Sequence, residues 1–202
     1  MSDAYGFLAP IYQPLSKFIF GDDLVAANSV FSALSRGKRS LIIGGGDAVA
    51  YRDWDGNYLG EYWDTSYKMS VLARQNLLQS KVRIHCGSWP GTGKFDVVVL
   101  PFVLDTMSDP DITKLIGKIA DSLNPAGKVI LSDFFSTTAF SQRLLQALMI
   151  TGFRVFVQHS RANLPNIGDF FSSDSWELLE ENIWKGGWIR AQVYRKRESL
   201  SN

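Results

Sequence analysis

Short apolar runs alternate with helical patterns through most of the chain. Runs of aliphatic, β-branched and aromatic residues predict strands at residues 39–43, 58–63, 82–85, 95–100 and 128–132. Apolar positions at helical spacing predict helices at residues 22–35, 67–78 and 111–123. Strands that alternate with helices are typical of an α/β domain with a parallel sheet. The pattern therefore predicts one domain built from β/α repeats.

The pattern changes after residue 132. Residues 138–149 predict a helix and residues 164–171 a short one. Residues 176–184 and 188–195 have the composition of two strands, joined by a Lys-Gly-Gly turn, so the chain is expected to end in an antiparallel hairpin. Residues 1–20 combine aromatics with two prolines, which exclude one long helix. Together with residues 138–172 they are expected to form a lid on a single domain, residues 1–202.

The stretch at residues 39–66 carries the clearest indication of function. Its first apolar run ends in Gly44-Gly45-Gly46, and about twenty residues after the first glycine Asp64 ends a second strand-like run. A strand, a glycine turn, a second strand and a carboxylate are typical of a nucleotide-binding α/β unit, in which the carboxylate accepts hydrogen bonds from ribose hydroxyls. Asp64 is also suited to capping the helix that follows, so both interpretations stay open.

The connection between the first two strands is unusually short. A βαβ unit needs a crossover of about ten or more residues, usually a helix, and only residues 47–55 are available before Gly56-Asn57. We therefore expect a helix of one or two turns, or a distorted one. A dinucleotide-binding fingerprint would need glycine at the position of Val49, and a longer helix. A nicotinamide-dependent oxidoreductase is accordingly a distant alternative.

Composition and charge narrow the class of protein. With 46% hydrophobic and 20% charged residues, the chain has the composition of an ordinary globular protein. Its net charge of +1 argues against nucleic acid or an anionic membrane as a partner, and no apolar run is long enough to span a membrane. One cysteine, Cys86, and no recognisable signal peptide favour a cytoplasmic protein. Whether it is a monomer or a homodimer stays open.

Three titratable residues are candidates for acid–base chemistry. Asp105 and Asp133 follow the fourth and fifth strands, at the edge where open α/β sheets bind ligands, and either is placed to act as a general base. The alternative for both is a carboxylate that caps a turn or a helix. His159 follows a helical pattern in the expected lid and titrates near neutral pH. No spacing of His or Cys suggests a metal site, so no metal is expected.

Several segments resemble the class I, Rossmann-like, S-adenosylmethionine-dependent methyltransferases. Residues 62–69, YWDTSYKM, followed by Leu72-Ala73-Arg74, are similar to the family's D-x-S-x-x-M-x-x-x-A-R segment. The glycine turn, the strand at residues 95–100 and the turn at residues 124–127 are similar to the corresponding family elements. The opening AYGFLAPIYQPL is similar to that of small-molecule methyltransferases. The resemblance covers nearly the whole chain.

This resemblance implies a three-layer α/β/α sandwich with a mostly parallel seven-stranded sheet of order 3-2-1-4-5-7-6, ending in an antiparallel hairpin. It implies S-adenosyl-L-methionine as the cofactor and methyl transfer to a small molecule. The glycine turn would contact the methionine part of the cofactor, Asp64 the ribose hydroxyls and Met69 the adenine. The implied cofactor-binding residues are Gly44, Gly45, Gly46, Asp64, Thr65, Met69, Ser88, Trp89 and Phe102.

Three residues depart from the family pattern. Ile42 stands where the family often has an acidic residue, Ala48 where it often has a third glycine, and Ser88 where it has an acidic adenine contact. With the short connection at residues 47–57, they leave a second function open, a non-catalytic binding or scaffold protein. The fourth strand is followed by Leu100-Pro101-Phe102 and not by an Asn/Asp-Pro-Pro-aromatic tetrad, which disfavours methylation of DNA bases or protein amides.

Overall fold

The computed structural model describes residues 22–137 and 163–197, which form a seven-stranded sheet packed on both faces. The strands are β1 (Arg39–Ile43), β2 (Leu59–Asp64), β3 (Lys81–Cys86), β4 (Phe95–Pro101), β5 (Leu123–Phe134), β6 (Trp176–Trp184) and β7 (Ile189–Lys196). The helices are α1 (Asp23–Ser29), α2 (Tyr67–Asn76), α3 (Asp109–Ser122) and α4 (Ile167–Phe170). Short 3-10 turns lie at Ser32–Ser35, Val49–Tyr51, Leu104–Thr106 and Lys185–Gly187.

The strand order is β3-β2-β1-β4-β5-β7-β6. The neighbouring strands β3-β2, β2-β1, β1-β4 and β4-β5 pair in parallel. Strand β7 pairs antiparallel with both β5 and β6. Apart from Asp96, every residue of the central strand β4 is buried, as expected where both faces of a parallel sheet are covered. The predicted architecture, strand order and terminal hairpin are confirmed.

Two hydrophobic clusters fill the two faces of the sheet. The first cluster lies between the sheet and the helices α1 and α2, and the second lies between the sheet and α3. Helix α3 contributes Ile112, Ile116 and Ile119, which share one face of the helix because they recur at a spacing of three or four residues. Its N-cap is Ser108, whose hydroxyl oxygen accepts from the N–H of Asp111 at 3.4 Å.

The connection between β1 and β2 contains no α-helix. One 3-10 turn, Val49–Tyr51, lies in its middle, in agreement with the short distorted helix expected from the sequence. Tyr51, Trp54 and Tyr58 turn into the first cluster and are at most 8% exposed. The ring of Trp54 stacks on Tyr58 at 4.4 Å between centroids and lies 4.9 Å from Tyr51. These three rings cover the sheet where a crossover helix would otherwise lie.

The connection between β2 and β3 is a regular helix, α2. Its N-cap is Ser66, whose hydroxyl oxygen accepts from the N–H of Met69 at 3.3 Å. Ala73 and Leu77 are buried in the first cluster. Of the two hydroxyl residues that precede the helix, Thr65 and Ser66, the structure uses Ser66 as the cap.

Most predicted elements differ from the observed ones by one to three residues at an end, and two differ more. The helix expected at residues 22–35 is divided, because α1 ends at Ser29 and a 3-10 turn follows at Ser32–Ser35. Phe31 lies at the break with non-helical backbone angles, φ −105° and ψ 11°, while its side chain packs into the first cluster. The strand expected at residues 128–132 begins earlier, since the turn at residues 124–127 is taken up as an irregularity in the pairing of β5 with β4.

The two edges of the sheet carry opposite charge. Strand β3 forms one edge and bears Lys81 and Arg83, whereas β6 forms the other and bears Glu177, Glu180 and Glu181. Charged side chains on an edge strand hinder pairing with a further chain.

Most of the expected lid, residues 1–20 and 138–162, lies outside the described residues, as does the helix expected at residues 138–149. Of the remainder, α4 is described, and Ile167 and Phe171 at its two ends pack into the second cluster. Among the residues described, no helix is long and apolar enough to cross a membrane.

Candidate functional site

The carboxyl ends of β1, β2 and β4 lie at the edge of the sheet where open α/β folds bind ligands. Strands β1 and β2 are in register there, with Ile43 beside Trp63. The N–H of Gly44 donates to the carbonyl oxygen of Trp63 at 2.8 Å, which continues the parallel pairing past the end of β1. The glycine turn therefore begins directly beside Asp64.

Asp64 is held by peptide groups from both flanking connections. Its Oδ2 accepts from the N–H of Gly46 at 3.1 Å, and its Oδ1 accepts from the N–H of Ser66 at 2.8 Å. The carboxylate, part of a half-buried residue, thus joins the glycine turn to the start of α2. The structure brings together Asp64 and the three glycines that the sequence suggested, and Ser66, not Asp64, is the helix N-cap.

The three glycines have different surroundings. A Cβ at Gly44 would clash with the side chain of Val103, and a Cβ at Gly45 would lie 2.5 Å from Cε2 of Tyr62. A Cβ at Gly46 would meet no atom within 4 Å. Gly44 and Gly46 have positive φ angles of +70° and +61°, which other residues adopt only at a cost. Packing within the protein requires Gly44 and Gly45, whereas Gly46 has an open side.

Tyr62 lies beneath the glycine turn and is fully buried in β2. Its hydroxyl donates to the carbonyl oxygen of Gly46 and lies 3.4 Å from Oδ2 of Asp64. Burial, and then the negative charges of Asp64 and Asp47, raise the pKa of Tyr62 above its ordinary value. The hydroxyl therefore stays a hydrogen-bond donor even at a pH where an ordinary tyrosine, with a pKa of about 10, ionises. Tyr62 was not among the site residues predicted from the sequence, although its place two positions before Asp64, on the same face of the strand, could have indicated it.

Thr65 and Met69 follow Asp64 at the start of α2. Thr65 is exposed and Met69 is half-buried. The far end of the same helix contacts the residue that follows the glycine turn, because the side-chain amide of Asn76 donates to the carbonyl oxygen of Asp47 at 2.8 Å. This contact, which the sequence did not suggest, ties α2 to the connection between β1 and β2.

Ser88 and Trp89 lie in the loop after β3. The N–H of Gly87 donates to the carbonyl oxygen of Asp64 at 2.8 Å, so the loop starts beside the site. Ser88 is exposed. The ring of Trp89 is buried in the second cluster, and its indole N–H donates to the carbonyl oxygen of Thr92 at 3.2 Å. The side chain of Trp89 thus belongs to the core on the α3 side of the sheet.

Phe102 follows β4 in a strained backbone conformation. Its φ is +51°, which is unusual for a bulky residue and typical of functional sites when it occurs. Its N–H donates to the carbonyl oxygen of Ser132 at 2.7 Å. The half-buried ring lies 5.0 Å from the ring of Phe134. Phe102 therefore stands at the carboxyl end of β4, where open α/β sheets bind ligands.

Asp105 and Asp133 come close together at the ends of β4 and β5. Asp133 is fully buried, and its Oδ1 accepts from the N–H of Phe134 at 2.8 Å. Burial, and then the charge of Asp105, raise the pKa of Asp133 well above its ordinary value. The backbone N–H groups of Phe134, Asp105 and Leu104 oppose that rise. A buried carboxyl of this kind holds a proton at a pH where an exposed one does not.

His85 and Cys86 lie on the strand next to Asp64, and neither of these described residues donates a hydrogen bond to its carboxylate. His159 lies outside the described residues. His85 is half-buried in β3, with its ring stacked on Trp63 at 4.3 Å. Cys86 ends β3 and is exposed. In residues 22–137 and 163–197, no three His, Cys, Asp or Glu side chains lie close enough to hold a metal ion.

Two of the departures from the family pattern have structural explanations. Ile42 is fully buried, with its Cγ2 2.9 Å from the position that a Cβ of Gly45 would take. An acidic side chain there would lose its hydration at a high cost. Ala48 is also buried, and its φ of 59° is a conformation that glycine adopts without strain. The backbone at Ala48 therefore keeps the shape that a third glycine would favour.

No known protein family and no curated protein matches the chain by sequence. Solved structures match it by fold. Mitomycin 7-O-methyltransferase MmcR is similar with a TM-score of 0.65 and 17% identity over 95% of this chain. The chain spans 60% of the length of MmcR.

Two further structures are similar along most of their own length. The DhpI complex with S-adenosylhomocysteine has a TM-score of 0.66 and 14% identity, covering 95% of this chain and 93% of DhpI. Magnesium protoporphyrin IX methyltransferase (ChlM) from Synechocystis PCC 6803, also with S-adenosylhomocysteine, has a TM-score of 0.58 and 18% identity, covering 88% and 81%. Together with the strand order and the terminal hairpin, these likenesses establish that the chain has the class I, Rossmann-like fold of S-adenosylmethionine-dependent methyltransferases.

Proposed function

We propose that this protein binds S-adenosyl-L-methionine and transfers its methyl group to a small molecule. The observation that carries the proposal is the position of Asp64. Its carboxylate stands at the end of β2 beside the glycine turn, with each oxygen oriented by one peptide N–H. The fold neighbours support the proposal, because DhpI and ChlM were solved with S-adenosylhomocysteine, the product that remains after methyl transfer.

The residues at this edge of the sheet fit such a cofactor. A carboxylate offers about four acceptor positions, so two peptide donors on Asp64 are compatible with further donors from a ribose. The open side of Gly46 allows a ligand to approach the backbone closely. We assign the adenine side to Met69 and the exposed Ser88, and we keep the exposed Thr65 among the proposed cofactor contacts. Because its ring is buried on the other face, we leave Trp89 out of this set.

When bound, S-adenosylmethionine supplies an electrophilic methyl group on a positively charged sulfur. A lone pair of the acceptor would take up that methyl group, and the electrons of the carbon–sulfur bond would remain with the sulfur. The contribution of the chain is mainly to hold the two reactants in line and to exclude water. We assign Phe102, half-buried at the end of β4, to the acceptor side of the site.

Asp105 and Asp133 are the proposed acid–base pair. A hydroxyl acceptor must give up a proton as it takes the methyl group, and a nearby carboxylate can accept that proton. Because Asp105 is the less buried of the two, we propose that Asp105 accepts the proton. The neighbouring Asp133 would influence the charge of Asp105.

Thermal unfolding in the presence of cofactors tests the proposal. A ligand that binds only the folded state stabilises it by about 2.7 kcal/mol at roughly 100 times its dissociation constant. We expect the Tm to rise with S-adenosylmethionine and with S-adenosylhomocysteine. No rise with either contradicts the proposal, and a rise with a nicotinamide cofactor instead restores the oxidoreductase alternative.

The role of Asp64 is tested by Asp64→Asn. Loss of its charge should weaken binding of S-adenosylhomocysteine at least about tenfold, since hydrogen bonds to a charged group contribute about 1.5–3 kcal/mol. The matched control is Asp53→Asn, which removes a charge from the connection between β1 and β2 at a side chain that is 96% exposed. If Asp64→Asn unfolds the protein while the control does not, the carboxylate serves the fold.

The acid–base pair has a signature in the pH dependence of stability. An acid with a raised pKa binds more protons in the folded state than in the unfolded state, so its presence lowers stability as pH rises above the ordinary carboxyl pKa of about 4. Asp133→Asn should remove this loss and raise the Tm at neutral pH. The check is the Tm of both proteins from about pH 4 to about pH 8, and identical profiles contradict the raised pKa of Asp133.

One observation favours a second function, a non-catalytic binding protein of this fold. Both oxygens of Asp64 accept hydrogen bonds from the chain itself, and the connection after the glycine turn lacks its helix. A protein of this kind would bind S-adenosylhomocysteine without turnover. Transfer of a labelled methyl group to a panel of small hydroxyl, carboxyl and amine compounds separates the two. Binding without transfer to any of them supports the second function.

A further inference from the structure

Gly46 is fixed by hydrogen bonds and not by packing. Gly44 and Gly45 lie against the side chains of Val103 and Tyr62, whereas a Cβ at Gly46 would meet nothing within 4 Å. Glycine at a positive φ has wide conformational freedom when nothing restrains it. Both peptide groups of Gly46 are nevertheless bonded: its N–H donates to Asp64, and its carbonyl oxygen accepts from the hydroxyl of Tyr62.

We propose that Tyr62 is a positioning residue for ribose recognition: its hydroxyl fixes the carbonyl group of Gly46, and the N–H of the same glycine fixes Asp64. This inference rests on the proposed function, because it assigns how the ribose-binding carboxylate is oriented before a ligand arrives. Tyr62 does not touch the ligand and acts only through Gly46 and Asp64.

The hydroxyl of Tyr62 has one proton and two acceptors within reach. It donates to the carbonyl oxygen of Gly46, and its distance of 3.4 Å to Oδ2 of Asp64 is long for a hydrogen bond between oxygens. A tyrosine with its ordinary pKa of about 10 already holds this proton at physiological pH, and burial raises the pKa of Tyr62 further. The ring fills the space beneath Gly45, so phenylalanine at this position preserves the packing and removes only the hydroxyl.

Tyr51 offers a matched control in the neighbouring connection. Its side chain is 1% exposed and belongs to the same cluster as Tyr62. Within the part of the chain that the structure describes, its hydroxyl makes no hydrogen bond. Tyr51→Phe therefore removes a buried hydroxyl without removing a bond to Gly46 or Asp64.

Calorimetric titration tests the inference with two probes, S-adenosylhomocysteine and its 2′-deoxy analogue. We expect Tyr62→Phe to bind S-adenosylhomocysteine about three- to tenfold more weakly than wild type, because the variant loses one hydrogen bond. Its loss of affinity for the 2′-deoxy analogue should be smaller, because the orientation of Asp64 matters most where a hydroxyl meets it. Tyr51→Phe should bind both probes as wild type does.

The outcomes separate this inference from the proposed function. If wild type binds and Tyr62→Phe binds equally well, or loses the same factor for both probes, the positioning role is overturned alone. If wild type binds neither probe, the proposed function falls and the inference with it. Amide hydrogen exchange adds a readout without ligand: Gly46 should be protected in wild type and in Tyr51→Phe, and should exchange faster in Tyr62→Phe. An unprotected Gly46 in wild type overturns the inference whatever the variants do.

Discussion

The two connections that flank Asp64 cover the same face of the sheet by different means. Residues 44–58, between β1 and β2, use three buried aromatic rings and one 3-10 turn. Residues 65–80, between β2 and β3, use the capped helix α2. Each connection supplies one N–H to Asp64, from Gly46 in the first and from Ser66 in the second.

The difference shows what a segment needs when it covers a sheet without a helix. A helix pairs its own peptide groups, so a cap and a few buried residues such as Ala73 are sufficient. The irregular connection has only turn bonds between its peptide groups, such as the one from the N–H of Tyr51 to the carbonyl oxygen of Ala48 at 2.9 Å. Side chains add to these bonds: the N–H of Val49 donates to Oδ1 of Asp47 at 3.0 Å, and Asn76 donates to the carbonyl oxygen of Asp47. Substitutions should therefore damage the first connection more than the second.

The largest expected effect is at the centre of the aromatic rings. Trp54→Ala should lower the free energy of unfolding by about 3–5 kcal/mol, because it leaves a large cavity between Tyr51 and Tyr58. Leu77→Ala, at the end of α2 beside the exposed Leu78, should cost about 2 kcal/mol. Urea unfolding of both variants measures the difference. A larger loss of unfolding free energy in Leu77→Ala than in Trp54→Ala would contradict the comparison, since α2 would then contribute more to stability than the aromatic connection.

The glycine turn should separate packing from backbone strain. Gly45→Ala should cost about 1–3 kcal/mol, because its Cβ would overlap Tyr62 and Ile42. Gly46→Ala should cost about 1 kcal/mol or less, since there is space and the strain of its positive φ is partly offset by a less flexible unfolded chain. Chemical unfolding of both proteins gives the two values, and equal losses would show that the open side of Gly46 is in fact filled.

The helix cap should matter only for the second connection. Ser66→Ala should lower stability by about 1 kcal/mol, because the N–H of Met69 loses its acceptor. Thr65→Ala, at the exposed neighbouring position, should stay within about 0.5 kcal/mol of wild type. Amide exchange at Met69 should accelerate in Ser66→Ala alone. Equal behaviour of the two variants would mean that Ser66 is not the cap in solution.

The smallest effect concerns two alanines with the same positive φ of 59°. Ala126→Gly, at an exposed position, should stabilise the protein by about 0.5 kcal/mol, because relief of strain exceeds the entropy gained by the unfolded chain. Ala48→Gly should gain about 0.8 kcal/mol less, because it also removes a buried methyl group. Differential scanning calorimetry compares the two, and a greater gain at Ala48 would show that strain in the first connection exceeds that in an ordinary turn.

Elements with strong patterns were predictable from the sequence. The strand at residues 39–43 has the bounds expected. Its apolar run follows the basic residues Lys38 and Arg39 and ends at three glycines, and this pattern predicts a short buried strand. The strand order followed from the resemblance and is confirmed. The end of α1 was not predictable, since the packing of Phe31 decides where that helix breaks.

The direction of single side chains was harder to predict. Trp89 was expected beside the cofactor and lies in the second cluster, because the loop after β3 turns its ring to the α3 side. Tyr62 was assigned only to a strand, yet its hydroxyl reaches Gly46. That contact depends on the left-handed backbone of the glycine turn, which places a carbonyl oxygen above the ring. A single sequence does not show which residues that are distant along the chain form contacts in the fold.

The opposite charges of the two sheet edges restrict how copies of this protein can associate. A two-fold pair through β3 would set Lys81 and Arg83 against the same residues of the other copy, and a pair through β6 would set glutamate against glutamate. Like charges on directly paired strands are destabilising. Pairing β3 with β6 would satisfy the charges, but a head-to-tail contact of this kind repeats without closing unless its rotation forms a ring. The charges on the two edge strands therefore disfavour a closed two-fold dimer through either edge of the sheet.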